Sequence, residues 1–267
     1  MFSKTQNKLL TTIFLWLATA FPKSLKAGEI EEVFIPPTDQ KSSYIEITHS
    51  NDWLNKNYAN WQSNNMNFFL PLREKGTTTI ELTKVRRYNL EDENAYINYS
   101  YPTKYGAANV ELGLTSNADF LYKNLYGMGW NGIIGKGFGY IIAYKQRSYS
   151  DSLADMVSFT VEKYFSDYRL AYTNTQSSLN KQKFEESQRI QFQWIGENNN
   201  RFGISYSSGD EPVDLGLNHL SSSNVQQLQI DGVYWIRDFG FSASAWHVKQ
   251  GEFYSRNGAQ IGLRLAF

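Results

Sequence analysis

The sequence predicts an all-β fold: an antiparallel transmembrane β-barrel of 14 strands with short periplasmic turns and longer extracellular loops. Three observations predict it. The chain opens with an export signal, tight-turn signals recur at nearly constant intervals, and the last strand alternates apolar and polar residues up to a terminal phenylalanine. Together they predict an integral protein of a Gram-negative outer membrane.

Residues 1–27 have the features of a secretory signal peptide. Lys4 and Lys8 precede the apolar run from Leu9 to Phe21, and the segment contains no acidic residue. The apolar run is shorter than the ~20 residues that a membrane-spanning helix needs. We therefore expect this segment to direct export and then to be removed.

The signal peptide could be cleaved at either of two positions. Cleavage after Ala27 is favoured, and cleavage after Ala20 is the alternative, although it would leave a phenylalanine-proline start. Residues 28–42, with two adjacent prolines, then form a periplasmic lead-in. Residues 43–267 form a single barrel domain.

Composition excludes several classes of protein. Without the four lysines of residues 1–27, the chain carries 26 − 4 = 22 basic residues against 26 acidic ones, which argues against nucleic acid as a partner. No cysteine is present, so neither a disulfide framework nor a lipid-attachment cysteine is expected. Aromatic residues reach 16% although mean hydropathy is low, as expected where alternate residues face lipid. No cofactor is predicted.

Tight-turn signals divide the chain into hairpins. With one marker residue per turn, the successive spacings are 31, 30, 32, 31 and 41 residues, which fits two membrane strands, a short turn and a longer loop. One period before the first marker lies Ser43, followed by an alternating strand, so we expect seven hairpins and 14 strands, with 12 as the fallback. The longest loop is expected at Ser207 to Ser223. The markers are Glu74, Tyr105, Gly135, Asp167, Asn198 and Phe239.

The polar segments between these turns are predicted to be extracellular loops, among them Asn89 to Glu93 and Thr115 to Asp119. Alternation within the strands separates a lipid face, for example Val110, Leu112 and Leu114, from a polar lumen face. Aromatic rings near the strand ends are expected to form an interfacial girdle in contact with outer-membrane lipid and lipopolysaccharide. The girdle residues are Tyr99, Tyr101, Tyr164, Tyr168 and Trp235.

The last strand carries the clearest alternation. Ile261, Leu263, Leu265 and Phe267 share one face, and Arg264 lies on the other. A soluble sheet could also end in an alternating strand, but a phenylalanine at the carboxyl terminus would then be chance. We predict that the four apolar residues face lipid. They also resemble the signal that outer-membrane barrels present to the barrel assembly machinery, which implies that this machinery is a partner.

Several short stretches resemble the YaiO family of outer-membrane β-barrels. They are Tyr254 to Gly258 running on to the terminus, Gly209-Asp210-Glu211, Arg86-Arg87-Tyr88, and Val161 to Tyr164 with Arg169 and Tyr172. The likeness covers roughly Tyr44 to Phe267. It implies an integral barrel whose relatives are sometimes joined to helical-repeat or glycan-synthesis domains, and it supplies no catalytic residues.

Charged residues on the predicted lumen face are balanced in sign. Opposite charges on neighbouring strands predict ion pairs that stiffen the interior, whereas a water-filled conduit would use them to set solute preference. We predict a structural or transport-associated barrel without enzymatic activity, with a conduit for a small solute or glycan as the transport alternative. The predicted network is Glu81, Glu111, Arg147, Glu162, Arg169, Arg189, Asp231 and Arg264.

The competing class is a lipid-modifying hydrolase or acyltransferase that uses His247. His49 and Ser50 are adjacent, so on a strand they point to opposite faces and form no simple dyad. Three scattered histidines show no metal-ligand spacing, so no metal site is predicted. Asp210, Glu211 and Asp214 could bind a divalent cation, but a solvated loop is the favoured interpretation.

Overall fold

A computed structural model describes residues 43–56, 58–181, 184–214 and 220–267. The predicted signal peptide and the lead-in lie outside these residues, and side chains are not described at 211–214 and 220–222. No helix in the described residues is long and apolar enough to cross a membrane.

Fourteen antiparallel strands form a closed barrel in which each strand pairs with its neighbours in sequence and β1 pairs with β14. This confirms 14 strands rather than 12. The strands are β1 Tyr44–Leu54, β2 Trp61–Pro71, β3 Thr77–Arg87, β4 Leu90–Thr103, β5 Gly106–Ser116, β6 Asn124–Gly135, β7 Phe138–Ser148, β8 Leu153–Phe165, β9 Tyr168–Leu179, β10 Phe184–Ile195, β11 Arg201–Asp214, β12 Leu220–Ile236, β13 Phe239–Gln250 and β14 Tyr254–Ala266.

All six predicted tight turns connect strands at the end of the barrel where residues 43 and 267 lie. Two of them contain a single 3₁₀ turn, at Arg73–Lys75 and Glu197–Asn199. Positive φ angles occur at Lys136 and Gly137, because a two-residue hairpin turn needs left-handed backbone to match the strand twist. We call this the periplasmic end and the opposite one the outer end.

The outer connections are shorter than predicted. β11 continues to Asp214 and β12 starts at Leu220, so the segment from Ser207 to Ser223 is mostly strand and the prediction of a long loop there is wrong. The segment from Asn89 to Glu93 is also mostly strand, since only Tyr88 and Asn89 separate β3 from β4. Both strand pairs continue beyond the apolar belt. In β3 and β4 the outward face of this extension carries Lys84, Arg86, Glu91 and Glu93.

An apolar belt surrounds the barrel, and its residues are the exposed members of each alternating strand. In β14, Ile261, Leu263 and Leu265 are exposed while Arg264 is buried, and Phe267 directly after the strand is also exposed. In an aqueous protein such a surface would be unstable, whereas in a membrane it contacts lipid. The belt includes Leu82, Val110, Leu112, Leu114, Ile142, Phe159, Ile190, Phe192, Ile204, Leu228 and Ile230.

Candidate functional site

The lumen is lined by the alternate residues of all 14 strands. The strand register places the eight predicted charged residues on this inner face, opposite in parity to the exposed apolar belt. They do not act as one network, because their contacts differ from residue to residue.

Arg169 on β9 lies at the centre of one polar cluster. Its guanidinium forms an ion pair with Glu162 on β8 at 2.7 Å. It also donates to the side-chain oxygens of Gln191 at 3.0 Å and Gln193 at 2.7 Å on β10. Both members of the ion pair are largely buried, so the neighbouring amides supply polar partners that water would otherwise provide. The cluster joins three strands along the inner wall.

Glu111 and Lys145 form a second ion pair at 2.7 Å. They lie on β5 and β7, with Gly127 of β6 directly between them in the strand register. A Cβ atom at Gly127 would meet the Glu111 side chain at 3.0–3.3 Å. The glycine therefore leaves the space through which the two charges approach each other.

Two carboxylates that the sequence prediction missed hold β1 against β14 and β13. Glu46 pairs with Arg264 at 2.9 Å and accepts a hydrogen bond from the Ser242 hydroxyl at 2.6 Å. Asp52 pairs with Arg256 at 2.6 Å. The alternation of β1 could have marked both acids as inward-facing, but their partners depend on how the barrel closes, which no local pattern encodes.

Four predicted network residues form no ion pair within the part of the chain that the structure describes: Glu81, Arg147, Arg189 and Asp231. The Thr83 hydroxyl donates to Glu81 at 2.7 Å, and Arg189 donates to the Ser205 hydroxyl at 3.1 Å. Arg147 lies 5.8 Å from the centre of the Tyr122 ring. Glu81, Arg147 and Arg189 thus have local polar or aromatic contacts, and Asp231 interacts electrostatically with Arg189 and Arg201 at a longer range than an ion pair.

Arg189 and Arg201 are exposed although they face inward. An inward-facing side chain of a closed barrel is accessible to water only where the lumen beside it is open. Arg201 begins β11 at the periplasmic end, whereas Arg189 lies midway along β10. The lumen is therefore open to water beside Arg189, whereas Arg201 is exposed at the periplasmic mouth.

The connection between β5 and β6, residues 117–123, folds against the inner wall of the outer end. Asp92 on β4 has no exposed surface, and its carboxylate accepts backbone N–H groups of Asp119 at 2.9 Å, Phe120 at 3.0 Å and Leu121 at 2.8 Å. Phe120 is only 2% exposed. We call residues 117–123 the inner loop.

Tyr122 adds a second attachment of the inner loop. Burial raises the pKa of its phenol, which stays protonated and donates to the Asn94 side chain at 3.2 Å. Its ring occupies the space above Gly113, where an added Cβ would lie 2.7 Å from the phenol oxygen. The inner loop thus narrows one side of the outer mouth.

An arginine connects the inner loop to the neighbouring wall. The Arg87 guanidinium lies 4.3 Å from the ring centre of Trp61 and 5.3 Å from that of Phe120. Trp61 is 4% exposed and makes edge contacts with Tyr88 and Tyr254. Cation–π contacts of this kind stabilise a desolvated cation. This side of the outer mouth is a packed cluster.

Two residues predicted for the interfacial girdle face the lumen, so that part of the prediction is wrong. Tyr164 has the parity of buried Glu162, and the Arg169 guanidinium lies 5.9 Å from its ring. Trp235 has the parity of buried Val233 and makes an edge contact with Tyr44 at 6.0 Å. Both occur near strand ends, but strand parity turns them inward.

His247 lies on the exposed face of β13 and forms a 2.8 Å hydrogen bond with the Asn257 side chain of β14. His49 is likewise exposed and contacts the side chains of Asn64 at 2.8 Å and Asn51 at 2.9 Å. Both rings lie at the outer border of the apolar belt, opposite Leu228 and Ile261 in the strand register. Among the residues that the structure describes, no group of three or more His, Cys, Asp or Glu could hold a metal ion.

A groove of about 540 Å³ lies on the outer surface, where small residues form the floor between larger rings. Gly232, Ala243 and Ala245 form the floor, and Trp194 and Phe241 stand at its sides. It opens toward the membrane rather than the lumen, so it is no part of the candidate conduit.

The closed 14-stranded barrel with an exposed apolar belt defines an integral outer-membrane β-barrel protein. Comparison with solved structures finds outer-membrane proteins, and the first of the two below shares the fold. Omp33 from Acinetobacter baumannii matches 85% of this chain and 99% of its own, with a TM-score of 0.53 at 9% identity. A loop-deletion mutant of OmpT from Vibrio cholerae matches 84% of this chain and 98% of its own, with a TM-score of 0.49 at 9% identity.

No family model and no curated protein matches the chain. The resemblance to the YaiO family therefore stays a prediction, and likeness at 9% identity shows the fold alone.

Proposed function

We propose that the protein is a passive conduit that lets small polar solutes cross the outer membrane. The single observation that carries the proposal is the exposure of Arg189 and Arg201 on the inner face at two levels of the barrel. A barrel of purely structural function gains nothing from leaving charged side chains beside an internal space, since filling that space would improve packing.

The remaining lining suits hydrated solutes. Inward-facing amides and hydroxyls are half-buried and can exchange hydrogen bonds with water, as in other water-filled barrels. Within the described residues, no continuous apolar layer crosses the inner face at the middle of the strands. Examples are Asn67, Asn98, Asn109, Gln229 and Ser244.

The inner loop limits the size of the solute. Because Asp92 holds its backbone and Phe120 is buried, the loop is part of the packed wall rather than a loose cover. Solutes can pass only through the part of the lumen that the loop does not occupy. This smaller cross-section favours small molecules over folded chains or large oligomers.

Reconstitution into planar bilayers tests the proposal. The purified protein is first shown to be folded by its altered migration in unheated gel samples, and current is then recorded across the bilayer. We expect discrete conductance steps, and swelling of protein-containing liposomes in small sugars but not in large oligosaccharides. Folded protein that carries no current and gives no swelling would leave the structural role as the better description.

A further inference from the structure

In the described residues, most carboxylates on the lumen wall already have a cationic or backbone partner within the protein, whereas some of the cationic side chains have no carboxylate within ion-pair distance. Glu111, Glu162, Glu46 and Asp52 each lie within 2.9 Å of a cationic side chain. Within the described chain, the Asp92 carboxylate has no cationic partner of this kind and instead accepts hydrogen bonds from three backbone N–H groups. These five carboxylates are poorly placed to attract a passing cation because protein groups already surround their charge.

Cationic side chains remain available to solutes. Arg189 and Arg201 are the exposed charged residues on the inward register, among strand residues whose side chains the structure describes. Neither has a carboxylate within ion-pair distance in the described chain. Guanidinium groups bind carboxylate and phosphate oxygens through paired N–H donors, so they suit small oxyanions as well as chloride.

Asp231 reduces this positive potential without cancelling it. It interacts electrostatically with both Arg189 and Arg201. However, Asp231 is half-buried and its carboxylate packs against the space above Gly203, whereas both arginines are exposed. Glu81, the other network carboxylate without an ion pair in the described chain, is also half-buried and accepts a hydrogen bond from the Thr83 hydroxyl. A solute in the lumen therefore meets the two exposed cations more directly than these two carboxylates.

The inner loop does not cover either arginine. It occupies the side of the outer mouth formed by β4 and β5, where Asp92 and Gly113 hold it. Arg189 and Arg201 lie on β10 and β11, outside the part of the wall that the loop covers. Charges of one sign that line a water-filled path raise the local concentration of the opposite ion.

We propose that the lumen prefers anions and that Arg189 and Arg201 are two successive contact points for small anionic solutes. This inference rests on the conduit function proposed above. Arg189 contacts the solute midway along the lumen, and Arg201 contacts it at the periplasmic end, so exchange between two weak sites allows passage without tight binding.

The test is the reversal potential of the full-length exported protein in planar bilayers under a potassium chloride gradient. We expect wild type to be permeable to chloride over potassium by about threefold, because a lumen charge of one sign enriches its counter-ion. R189Q/R201Q is expected to reduce the ratio to about 1. K84Q/R86Q removes two positive charges from the outward-facing side of β3 and is expected to keep the wild-type ratio.

The possible outcomes separate the two proposals. A conducting wild-type barrel that prefers potassium or neither ion overturns the anion preference and leaves the conduit intact. An unchanged ratio in R189Q/R201Q overturns the assignment to these two residues. Absence of any current from folded wild-type protein removes both proposals. If the double variant does not fold, R201Q alone is measured, and a ratio equal to that of wild type counts against the proposal.

Discussion

Trp246 donates a hydrogen bond from Nε1 to Asp52 at 2.6 Å, across the strand that separates them. The residue between them in the register is Gly258 of β14. A Cβ atom there would lie 2.1 Å from the Trp246 ring, so the glycine is required for the contact. The same arrangement occurs where Glu111 and Lys145 meet above Gly127.

The first prediction concerns this glycine. G258A is expected to displace Trp246 from Asp52 and lower the free energy of unfolding by about 2 kcal/mol, as overpacking of a filled site does. Urea unfolding in detergent micelles, followed by tryptophan fluorescence, measures the change. G232A is the control, because a Cβ at Gly232 meets its nearest atoms at 3.4 Å. Equal effects of the two substitutions would refute the role of Gly258.

The second prediction concerns the ion pair between Glu162 and Arg169. E162Q leaves a mostly buried guanidinium without its charged partner and is expected to lower the free energy of unfolding by about 3 kcal/mol. E81Q serves as the matched control because Glu81 has a hydroxyl partner and no ion pair in the described chain. The same unfolding assay applies. A loss in E162Q no larger than in E81Q would show that the pair adds little.

The third prediction concerns the inner loop. D92A removes the acceptor of three backbone N–H groups, so the loop is expected to detach from β4 and single-channel conductance to rise by about twofold. D151A is the control, since Asp151 is exposed in another outer connection. Conductance of a folded D92A barrel equal to that of D151A would mean that the loop does not narrow the path.

The fourth prediction concerns the carboxyl terminus. F267A and F239A each remove an exposed ring at the periplasmic end of the barrel. Each variant should lose a similar free energy of lipid contact, about 2 kcal/mol. If Phe267 belongs to the assembly signal, F267A alone is expected to reduce the amount of folded barrel in outer-membrane fractions. Quantitative immunoblotting of unheated samples measures it. Matching yields from the two variants would argue against the signal.

The fifth prediction concerns the enzyme alternative. H247A is expected to leave the lipid A and phospholipid profiles of expressing cells unchanged, because His247 contacts an amide rather than a nucleophile. Mass spectrometry of extracted lipids provides the comparison, with N257A as a control for loss of the hydrogen bond. A lipid product that is present in wild type and absent in H247A would restore the hydrolase or acyltransferase class.

Features set by local chemistry could be predicted from the sequence. The six turns depend on short runs of turn-forming residues, and the membrane strands depend on alternation, so neither requires knowledge of distant partners. The outer strand ends could not be predicted because their outward face is also polar. Lys84 pairs with Glu93 at 3.1 Å and Arg86 with Glu91 at 3.0 Å on that face. When the outward face of a strand is not apolar, the sequence does not alternate between apolar and polar residues, and the strand cannot be distinguished from a loop.

The candidate site was only partly predictable for a different reason. Parity places Arg189 inside the barrel, but nothing near it in the sequence says whether a carboxylate will reach it. The attachment of the inner loop to Asp92 joins residues 27–29 positions apart and depends on folded geometry. For Trp235 the available signal was overlooked. Its position near a strand end suggested an interfacial ring, although its place in the alternation of β12 turns it inward.

The pairing of β1 with β14 has a consequence for biogenesis. The backbone N–H of Phe267 donates to the carbonyl of Ser43 at 2.9 Å, and Arg264 meets Glu46 across 218 positions of the chain. The hydrogen-bonding edge of the first membrane strand therefore has no partner until the last residues have been exported. A prematurely terminated chain would expose two unpaired edges to the periplasm, where proteases and chaperones act on it.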